Sequence, residues 1–582
     1  MQSRRVGGFG SFASITVRAA SPAQTAVLLD GVRLDSAGSP VIDLSTLDLL
    51  ALDAIDVYRG VTPLPFGSGG IGGAVNLVTP RVTPGAALTR AGFGVASFGT
   101  ARVELAHRAR HGRWDTVAAT GALASENDYP FVDSNGTPLN ADDDRRERRN
   151  NAAVRRIGVL GKLGTAHGEH ARTDLLVQLG ERRLGVPEWR NAEANDARLD
   201  TGTRQLQLSH VRDRVGAWDG RHTFYLHAGD DRFDDRDSSV GLGAQDTLSR
   251  TRTTGFDTYW TRPLAAGTLD LKAELRREAL ARRDRIEPVN DLDARRHALG
   301  LSTRWTGYAL DGRLVIAPTL HWRVNDDDLE RPNTRMATPR TRRRTDTLSP
   351  GIGLRLDARD SLALHASLER HVREPAFAEL YVDTGLVKDN PDLVAERGLN
   401  ADLGVEWSSG QRLTLAAAVF ASERDELIVT TYDSRGVGRA INTGRASILG
   451  LELSGTWAPS ERWRASANAT VQDAANRSAS PVLDGRQLPG EARVELHAAL
   501  RYRPSARWQL RLEADTTRGR HYDQANRRPA RDATTANLGL EHTRGAWRTA
   551  FAIDNLGDRN VEDFNGFPRP GRAFSLHLSV DL

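Results

Sequence analysis

Runs of aspartate are the residues of this chain whose type and spacing most suggest metal chemistry. They occur at 142–144, 230–235 and 326–328, and carboxylate oxygens of this kind suit calcium. None of the runs has the spacing of an EF-hand loop. Solvated loops or turns are therefore the favoured interpretation, and loop calcium stays an open alternative.

Histidine and cysteine were weighed next as metal ligands and catalytic groups. The 15 histidines contain no HExxH arrangement, and the pairs His107 with His111 and His167 with His170 fall in segments predicted to be loops. The chain has no cysteine, which excludes disulfides, thiolate metal sites and thiol nucleophiles. The sequence predicts no catalytic residue and no metal ligand, so we expect a protein that is not an enzyme.

A glycine-rich segment satisfies a dinucleotide-binding pattern at Gly67, Gly69 and Gly72. That fingerprint requires a strand before it and a helix after it. Here Pro63 and Pro65 disrupt the strand that should precede the glycines. The residues after the glycines, AVNLVT, form a strand pattern where the fingerprint requires a helix. A nucleotide site is disfavoured. We expect the glycines at 67, 69, 70, 72 and 73 to allow positive φ and close backbone packing.

The elements that position these residues are strands. The clearest is the C-terminal one, where Phe574, Leu576 and Leu578 alternate with polar residues. Similar segments recur through the chain, separated by Arg- and Asp-rich stretches such as 142–151 and 331–346. No apolar run is long enough for a membrane-spanning helix. The pattern predicts an outer-membrane β-barrel of about 22 strands. A soluble β-propeller is the alternative, but its blade repeats are missing.

Charge and the N-terminus add two expectations. The net charge is only +4, carried almost wholly by arginine, which suits a lipopolysaccharide-facing surface but also follows from codon bias. Residues 1–20 contain basic residues but no apolar core of a signal peptide. Either the protein is not exported or the given chain lacks its true start, and we favour the second interpretation.

The N-terminal segment resembles the plug domain of TonB-dependent outer-membrane transporters, in order through GGFGSFASITVR, QTAVLLDGVRLD, IDLSTL, LDAIDVYRG and PFGSGGIGGAVNLVT. The downstream chain resembles the barrel of that family at 373–381, 390–407, 441–455 and 552–574. The form of the plug is most similar to the cobalamin-transporter-like branch. The resemblance implies an all-β membrane protein with a partial plug domain over 1–82 inside a large antiparallel barrel over 83–582.

The same resemblance assigns a plug–barrel latch. Arg18 and Arg59 occupy positions where plug arginines of the family pair with acids of the barrel wall, and the matching acids are Asp402 and Glu452. Such pairs would hold the plug while leaving it displaceable. Ordinary salt bridges without a gating role are the alternative. Ala19 departs from the usual glycine after the first arginine, and Asp402 from the usual glutamate.

Other plug residues have structural or ligand-binding expectations. Asp30 and Gly31 form a tight-turn pair after an apolar run. With them, the expected structural positions are Gly60, Gly67, Gly69, Gly72 and Gly73. Candidate ligand contacts are plug apices at 35–40 and 61–66, with Asp35, Ser36, Ser39, Thr62 and Phe66 as the residues named.

The resemblance implies high-affinity capture of a scarce, bulky ligand and its transport by plug rearrangement. A corrinoid or a ferric siderophore is expected, so the ligand is a small-molecule metal chelate. The implied partners are the TonB, ExbB and ExbD proteins, reached through an N-terminal segment that this chain lacks, and outer-membrane lipid with lipopolysaccharide. We expect a monomer that binds no nucleic acid. The alternatives are a passive receptor or adhesin barrel without energised transport and a soluble glycan-binding protein.

Overall fold

The computed structural model describes residues 2–47, 52–60, 62–67, 69–82, 87–133, 140–188, 191, 194–240, 243–332, 340–382, 387–432 and 438–582. Its regular structure is almost entirely β. The strands are β1 (Gln2–Arg5), β2 (Ala13–Thr16), β3 (Thr25–Leu29), β4 (Val32–Arg33), β5 (Ala54–Tyr58), β6 (Gly73–Val78), β7 (Leu88–Ala96), β8 (Thr100–His111), β9 (Trp114–Ser125), β10 (Pro130–Asp133), β11 (Arg145–Arg148), β12 (Val154–Ala166), β13 (Ala171–Gly185), β14 (Arg198–Val215), β15 (Trp218–Asp235), β16 (Gln245–Leu264), β17 (Gly267–Asp284), β18 (Leu292–Ala309), β19 (Leu314–Glu330), β20 (Arg340–Arg359), β21 (Leu362–Arg373), β22 (Val387–Lys388), β23 (Glu396–Ser409), β24 (Leu413–Tyr432), β25 (Gly438–Ser460), β26 (Trp463–Asn476), β27 (Val494–Ser505), β28 (Trp508–Arg518), β29 (Ala533–Arg544), β30 (Trp547–Asp554), β31 (Glu562–Phe564), β32 (Phe567–Pro568) and β33 (Ala573–Asp581). The α-helix of the described residues is α1 (Phe377–Tyr381), and short 3-10 turns lie at Pro22–Gln24, Leu44–Thr46, Leu64–Phe66, Ala141–Asp143 and Pro288–Asn290.

The N-terminal domain is a four-stranded sheet of order β4-β3-β6-β5, with a separate hairpin of β1 and β2. Strand β3 is buried along its whole length because its apolar run packs on both faces. Val27, Leu29, Val75 and Leu77 form the core with Ile15 and Val17 of the preceding segment, and Leu176 of the barrel completes it. The expected plug sheet is therefore present.

The tight turn predicted at Asp30 and Gly31 joins β3 to β4, with Leu29 opposite Val32. Both turn residues have positive φ, 47° and 88°, as a two-residue hairpin turn of type I′ requires. Positive φ also occurs at four of the other glycines predicted to be structural: Gly60, Gly67, Gly69 and Gly73. Gly72 is restricted by space instead, because an added Cβ would lie 2.3 Å from the Cβ of Ala20.

A closed barrel of 22 long antiparallel strands surrounds this domain within the described residues. It runs from β7 to β9, from β12 to β21, from β23 to β30 and to β33, and β33 pairs with β7 from Ser575 opposite Ala96 to Asp581 opposite Arg90. Closure leaves no free sheet edge. The predicted barrel is confirmed. The expected domain boundary at 82 falls in the connection between β6 and β7, part of which lies outside the described residues.

The two ends of the barrel differ. At one end, here called the turn end, strands are joined by tight connections such as 112–113 and 265–266. At the other, the loop end, connections are longer, such as 126–153 and 374–395. Outer-membrane barrels place short turns in the periplasm and longer loops outside the cell, which orients the molecule.

The outer surface is apolar and bounded by aromatic residues. In β33, Phe574, Leu576 and Leu578 are 46%, 47% and 40% exposed, so the apolar face predicted for this strand points outward. Most of the 11 tryptophans lie within a few residues of the turn end, and the exposed ones there are Trp114, Trp305, Trp407, Trp457, Trp463, Trp508 and Trp547. A girdle of aromatic side chains marks a membrane interface. Among the described residues, no helix is long and apolar enough to cross a membrane.

Two stretches expected to be polar loops differ in part. The 142–151 stretch contains β11, which pairs with β10 as a hairpin. In 331–346, residues 340–346 begin β20, while 333–339 lie outside the described residues.

The aspartates at 230–235 and 326–328 lie at the ends of β15 and β19. They are in part neutralised by arginine, as in Asp327 with Arg296 at 2.6 Å. Loop calcium is untested and stays a prediction.

Candidate functional site at the plug–barrel interface

Arg18 lies where the plug meets three neighbouring barrel strands. Its guanidinium donates to Asp402 of β23 through Nη1 and to Oε2 of Glu452 of β25 through Nη2 at 2.9 Å. It also lies 4.7 Å from the ring centroid of Phe420 on β24. Arg59 approaches the same Glu452 oxygen at 3.5 Å. The structure thus brings together the four residues that the resemblance assigned, and their role as a latch stays a prediction.

The side chains of this cluster, apart from Arg59, are largely shielded from solvent. Side-chain exposure is 11% for Arg18, 5% for Asp402 and 8% for Glu452, against 35% for Arg59. Two carboxylates that share one buried arginine depend on that cation, because a buried charge without a partner is costly. Arg18 is therefore the central residue of the cluster, and Arg59 is peripheral.

The backbone explains two features of this segment. Ala19, which replaces the usual glycine, has φ of 51°, a left-handed conformation that costs a non-glycine residue about 1–3 kcal/mol. Arg424 of β24 fixes this turn by donating to the carbonyl oxygens of Ala19 at 2.7 Å and Arg18 at 3.2 Å. Gly60 has φ of 81°, and an added Cβ would lie 2.9 Å from Oδ2 of Asp402. Glycine there allows the acid to approach the plug.

Asp30 has a second role that the sequence did not indicate. Besides forming the hairpin turn, its carboxylate accepts from the backbone N–H of Thr79 at 2.8 Å and from Nζ of Lys162 at 2.9 Å. Lys162 lies on barrel strand β12, near the turn end. The turn is therefore a further plug–barrel contact, placed on the periplasmic side.

Arginines of the barrel wall donate to backbone carbonyl oxygens of the plug. Arg156 donates to Ser45 at 2.5 Å and Leu47 at 3.0 Å, and Arg304 donates to Thr62 at 2.5 Å. Arg276 makes the same kind of contact with Asp35, and Arg424 with Ala19. No sequence signal indicates these pairs, because every residue of the plug has a carbonyl oxygen.

The predicted apex at 35–40 lies toward the loop end, and a loop helix covers it. The N–H of Phe377 in α1 donates to the carbonyl oxygen of Ala37 at 2.6 Å, and both residues are buried. Ser36 and Ser39 exchange backbone hydrogen bonds at 3.0 and 3.1 Å, which closes the turn of the apex. Ligand contact by this apex stays a prediction, and it would require α1 to move.

Asp35 begins the same apex and pairs with Arg33 through two hydrogen bonds of 3.1 and 2.7 Å. Burial opposes ionisation of this carboxyl, but the adjacent guanidinium outweighs burial and lowers the pKa of Asp35 below its ordinary value. The aspartate is therefore held as an anion inside the plug.

The second predicted apex is placed differently. Thr62 is fully buried beside Arg304, and Phe66 lies 5.2 Å from the ring of Tyr58 and against Gly31 of the hairpin turn. Arg304 is close to the turn end of β18. Residues 62–66 therefore face the periplasmic half of the lumen, and ligand contact by this segment stays a prediction. Val61 lies outside the described residues.

The β1–β2 hairpin reaches the loop end, which sequence reasoning missed. Arg4 donates to Glu491 at 2.8 Å, the N–H of Arg5 donates to Asp563 at 2.9 Å, and that of Phe9 donates to Asn127 at 2.9 Å. These partners belong to three different long loops. The glycines of GGFGSF were the available signal, since they indicate an exposed turn of the plug.

Comparison with known proteins agrees with this architecture. A family model described as TonB dependent receptor-like, beta-barrel matches residues 113–556, and one described as TonB-dependent Receptor Plug Domain matches residues 2–74. Among solved structures, the chain is similar to the copper transporter OprC, with a TM-score of 0.83, 16% identity and coverage of 100% of this chain and 94% of that chain.

Two siderophore-related structures are also similar. The ferric yersiniabactin uptake receptor FyuA from Yersinia pestis gives a TM-score of 0.77 at 15% identity, and the siderophore receptor PiuA from Acinetobacter baumannii gives 0.78 at 14%. Each comparison covers 100% of this chain and 93% of the other. Similarity at these identities establishes a shared fold.

Proposed function

Because the chain belongs to the family of TonB-dependent receptors, an outer-membrane family that is not enzymatic, we propose that it is an active transporter that captures a metal chelate at its loop end. The cargo is a ferric siderophore or a corrinoid, and it passes to the periplasm when TonB, with ExbB and ExbD, displaces the plug. We propose that the protein acts as a monomer in a membrane whose outer leaflet is lipopolysaccharide.

The observation that carries this proposal is the polar character of the plug–barrel contact. Ion pairs of Arg18 and Lys162 and hydrogen bonds from wall arginines to plug carbonyls are spread around the lumen. Water that enters the lumen can replace such contacts one by one, whereas an apolar interface would resist separation through its buried area. The contact therefore suits a plug that must stay in the lumen at rest and be displaced during transport.

The chemistry of the chain favours a chelated metal over a bare ion. Soft metals such as Cu(I) select thiolate and thioether ligands, and this chain has no cysteine and 2 methionines. At the loop end, arginine and aromatic side chains occur together, as in Arg149 with Phe131 and Arg520 with Tyr522. Such surfaces contact organic ligands well. One similar structure is described as a siderophore receptor, which supports the choice of a ferric siderophore as the first candidate.

Capture is tested on the purified protein, which does not require TonB. Binding of ferric citrate, a ferric trihydroxamate, a ferric catecholate and cyanocobalamin is measured by equilibrium dialysis, because most tryptophans lie at the turn end, far from the loops. Saturable binding of one of them with a Kd below about 1 μM supports the proposal. Absence of binding to all four contradicts it.

Uptake separates the transporter from the passive receptor. Cells that lack other outer-membrane receptors and express this protein are given the bound chelate in radiolabelled form, with and without a functional TonB. Accumulation that requires TonB supports active transport. Binding without TonB-dependent accumulation supports the passive alternative.

A further inference from the structure

Arg149 is a buried cation without a hydrogen-bonding partner at the loop end. It lies in the 126–153 connection, is 2% exposed, and has its guanidinium carbon 5.4 Å from the ring centroid of Phe131 and 5.6 Å from that of Phe567. Across the described residues, none of its three guanidinium nitrogens has a hydrogen-bond acceptor. Burial lowers the pKa of Arg149 below its ordinary value. The side chain is therefore desolvated with its donors unused.

The cation–π contacts alone do not explain this arrangement. Contact with two aromatic faces stabilises the charge of a guanidinium, but it supplies no acceptor for the N–H donors, which stay unsatisfied. Glu188, Asp133 and Glu562 act on Arg149 only through longer-range attraction. A planar fork of unused donors fits an oxyanion that accepts two parallel N–H bonds, as carboxylates and phosphates do, and of these the planar carboxylate suits a site lined by two aromatic rings.

A small hairpin covers the guanidinium. Phe567 belongs to β32, and β31 and β32 form a hairpin within the last long loop. This hairpin is held by polar contacts, from the hydroxyl of Tyr129 to the carbonyl oxygen of Pro568 at 2.7 Å and from the N–H of Arg5 to Asp563 at 2.9 Å. Because Arg5 belongs to the plug, movement of the hairpin would change a hydrogen bond between the hairpin and the plug.

We propose that Arg149 is the anion-binding residue of the capture site, that the β31–β32 hairpin uncovers it, and that the cargo carries a carboxylate. The inference rests on the proposed function, because it assigns a chemical class to the captured chelate. A carboxylate that enters beside Phe131 would accept two parallel N–H bonds from Arg149 and so satisfy two of its five donors.

The test compares a carboxylate-bearing chelate with one that has no free carboxylate. Ferric citrate and a ferric trihydroxamate are titrated against the purified full chain and against Arg149→Met, Arg149→Lys and Arg148→Met. Arg148 is the matched control, because it is adjacent, 69% exposed and paired with Asp128. Each variant is accepted only if its barrel stays folded in an unheated gel.

We expect ferric citrate to bind, Arg149→Met to weaken its affinity about 10- to 150-fold, and Arg149→Lys to weaken it less, because the charge stays but the planar fork is lost. Arg148→Met should have no effect. An unchanged affinity in Arg149→Met would overturn the assignment. Binding of the trihydroxamate but not of citrate would overturn the carboxylate class and leave the proposed transporter function intact.

A second variant tests the covering hairpin without touching the guanidinium. Tyr129→Phe removes the hydroxyl that holds Pro568. The association rate of ferric citrate should rise severalfold, with Arg149 intact. An association rate that stays equal or falls would contradict a covering role for the hairpin.

Discussion

Replacing Arg18 by methionine should release the plug from the barrel. The substitution keeps a long apolar side chain against Phe420 but leaves Asp402 and Glu452 facing a dry interface. Arg59, at 3.5 Å and 35% exposed, compensates only in part. Removing one partner of a buried ion pair costs about 3–5 kcal/mol. With a urea dependence of about 1 kcal/mol per M for a domain as small as the plug, the midpoint of plug release should fall by about 3 M.

The composition of the chain supplies the assay. Because it contains no cysteine, Ser14→Cys introduces a unique thiol at a fully buried plug position, whose reaction with a maleimide reports plug release. All tryptophans follow residue 82, the first being Trp114, so their fluorescence reports the barrel alone. Labelling in urea should therefore rise at lower concentration in Arg18→Met while the tryptophan signal is unchanged.

Two controls identify the cause. Arg90→Met removes an arginine–aspartate pair of similar geometry within the barrel wall, 2.6 Å from Asp581 and 30% exposed, and exposed pairs contribute at most about 1 kcal/mol. Adding Arg90→Met to the Ser14→Cys chain should leave maleimide labelling in urea unchanged. Adding Glu452→Gln to Arg18→Met removes one of the two carboxylates that lost their arginine. The urea midpoint of plug release should then recover part of its loss. A midpoint in Arg18→Met equal to that of the parent would refute the latch.

Three further predictions concern the plug and its cover. Gly73→Ala should prevent plug packing, because φ is 114° and the added Cβ would lie 2.3 Å from the carbonyl oxygen of Tyr58. Thiol labelling should then need no urea, whereas Gly161→Ala in β12, which has open space around it and no positive φ, should behave as the parent. Phe377→Ala should free α1 at a local cost of about 3–5 kcal/mol, because this ring is fully buried, and limited proteolysis should then cut the 374–395 connection; resistance equal to that of the parent would argue against α1 as the cover. Because the pKa of Asp35 is lowered in the folded state, its contribution is complete above its ordinary value of 3.8 and is lost as pH falls below it. Because the thiolate is the reacting form, labelling at each pH is expressed relative to the same variant fully unfolded in urea. This ratio should stay flat from pH 7 to pH 5 and rise only below about pH 4, and a transition near pH 6 would contradict this.

The fold was predictable where local pattern and tertiary environment agree. Alternation in β33 and the Asp30–Gly31 turn are local signals, and both occur as expected. The grouping of Arg18 with Asp402 and Glu452 followed from motif order, because residues 384 and 434 positions apart have no local signal.

The remaining contacts were not predictable for a physical reason. An arginine facing the lumen shows only that its strand position points inward, and it does not show which carbonyl oxygen it meets. Arg156 and Arg304 are of this kind. The position of residues 62–66 along the barrel axis was not predictable, because glycine and proline indicate a turn but not the end of the lumen at which it lies.

Closure of the barrel by β33 against β7 has a consequence for the order of assembly. The strand that completes the wall is synthesised after the other barrel strands, whereas the plug is synthesised before them. Until β7 and β33 pair, the lumen has no continuous wall, and the carbonyl oxygens to which Arg156 and Arg304 donate must be satisfied by water. Docking of the plug is thus tied to the backbone pairing of two strands that lie almost 500 residues apart, as in Ser575 opposite Ala96. A truncation at the C-terminus should therefore disturb the plug as well as the barrel.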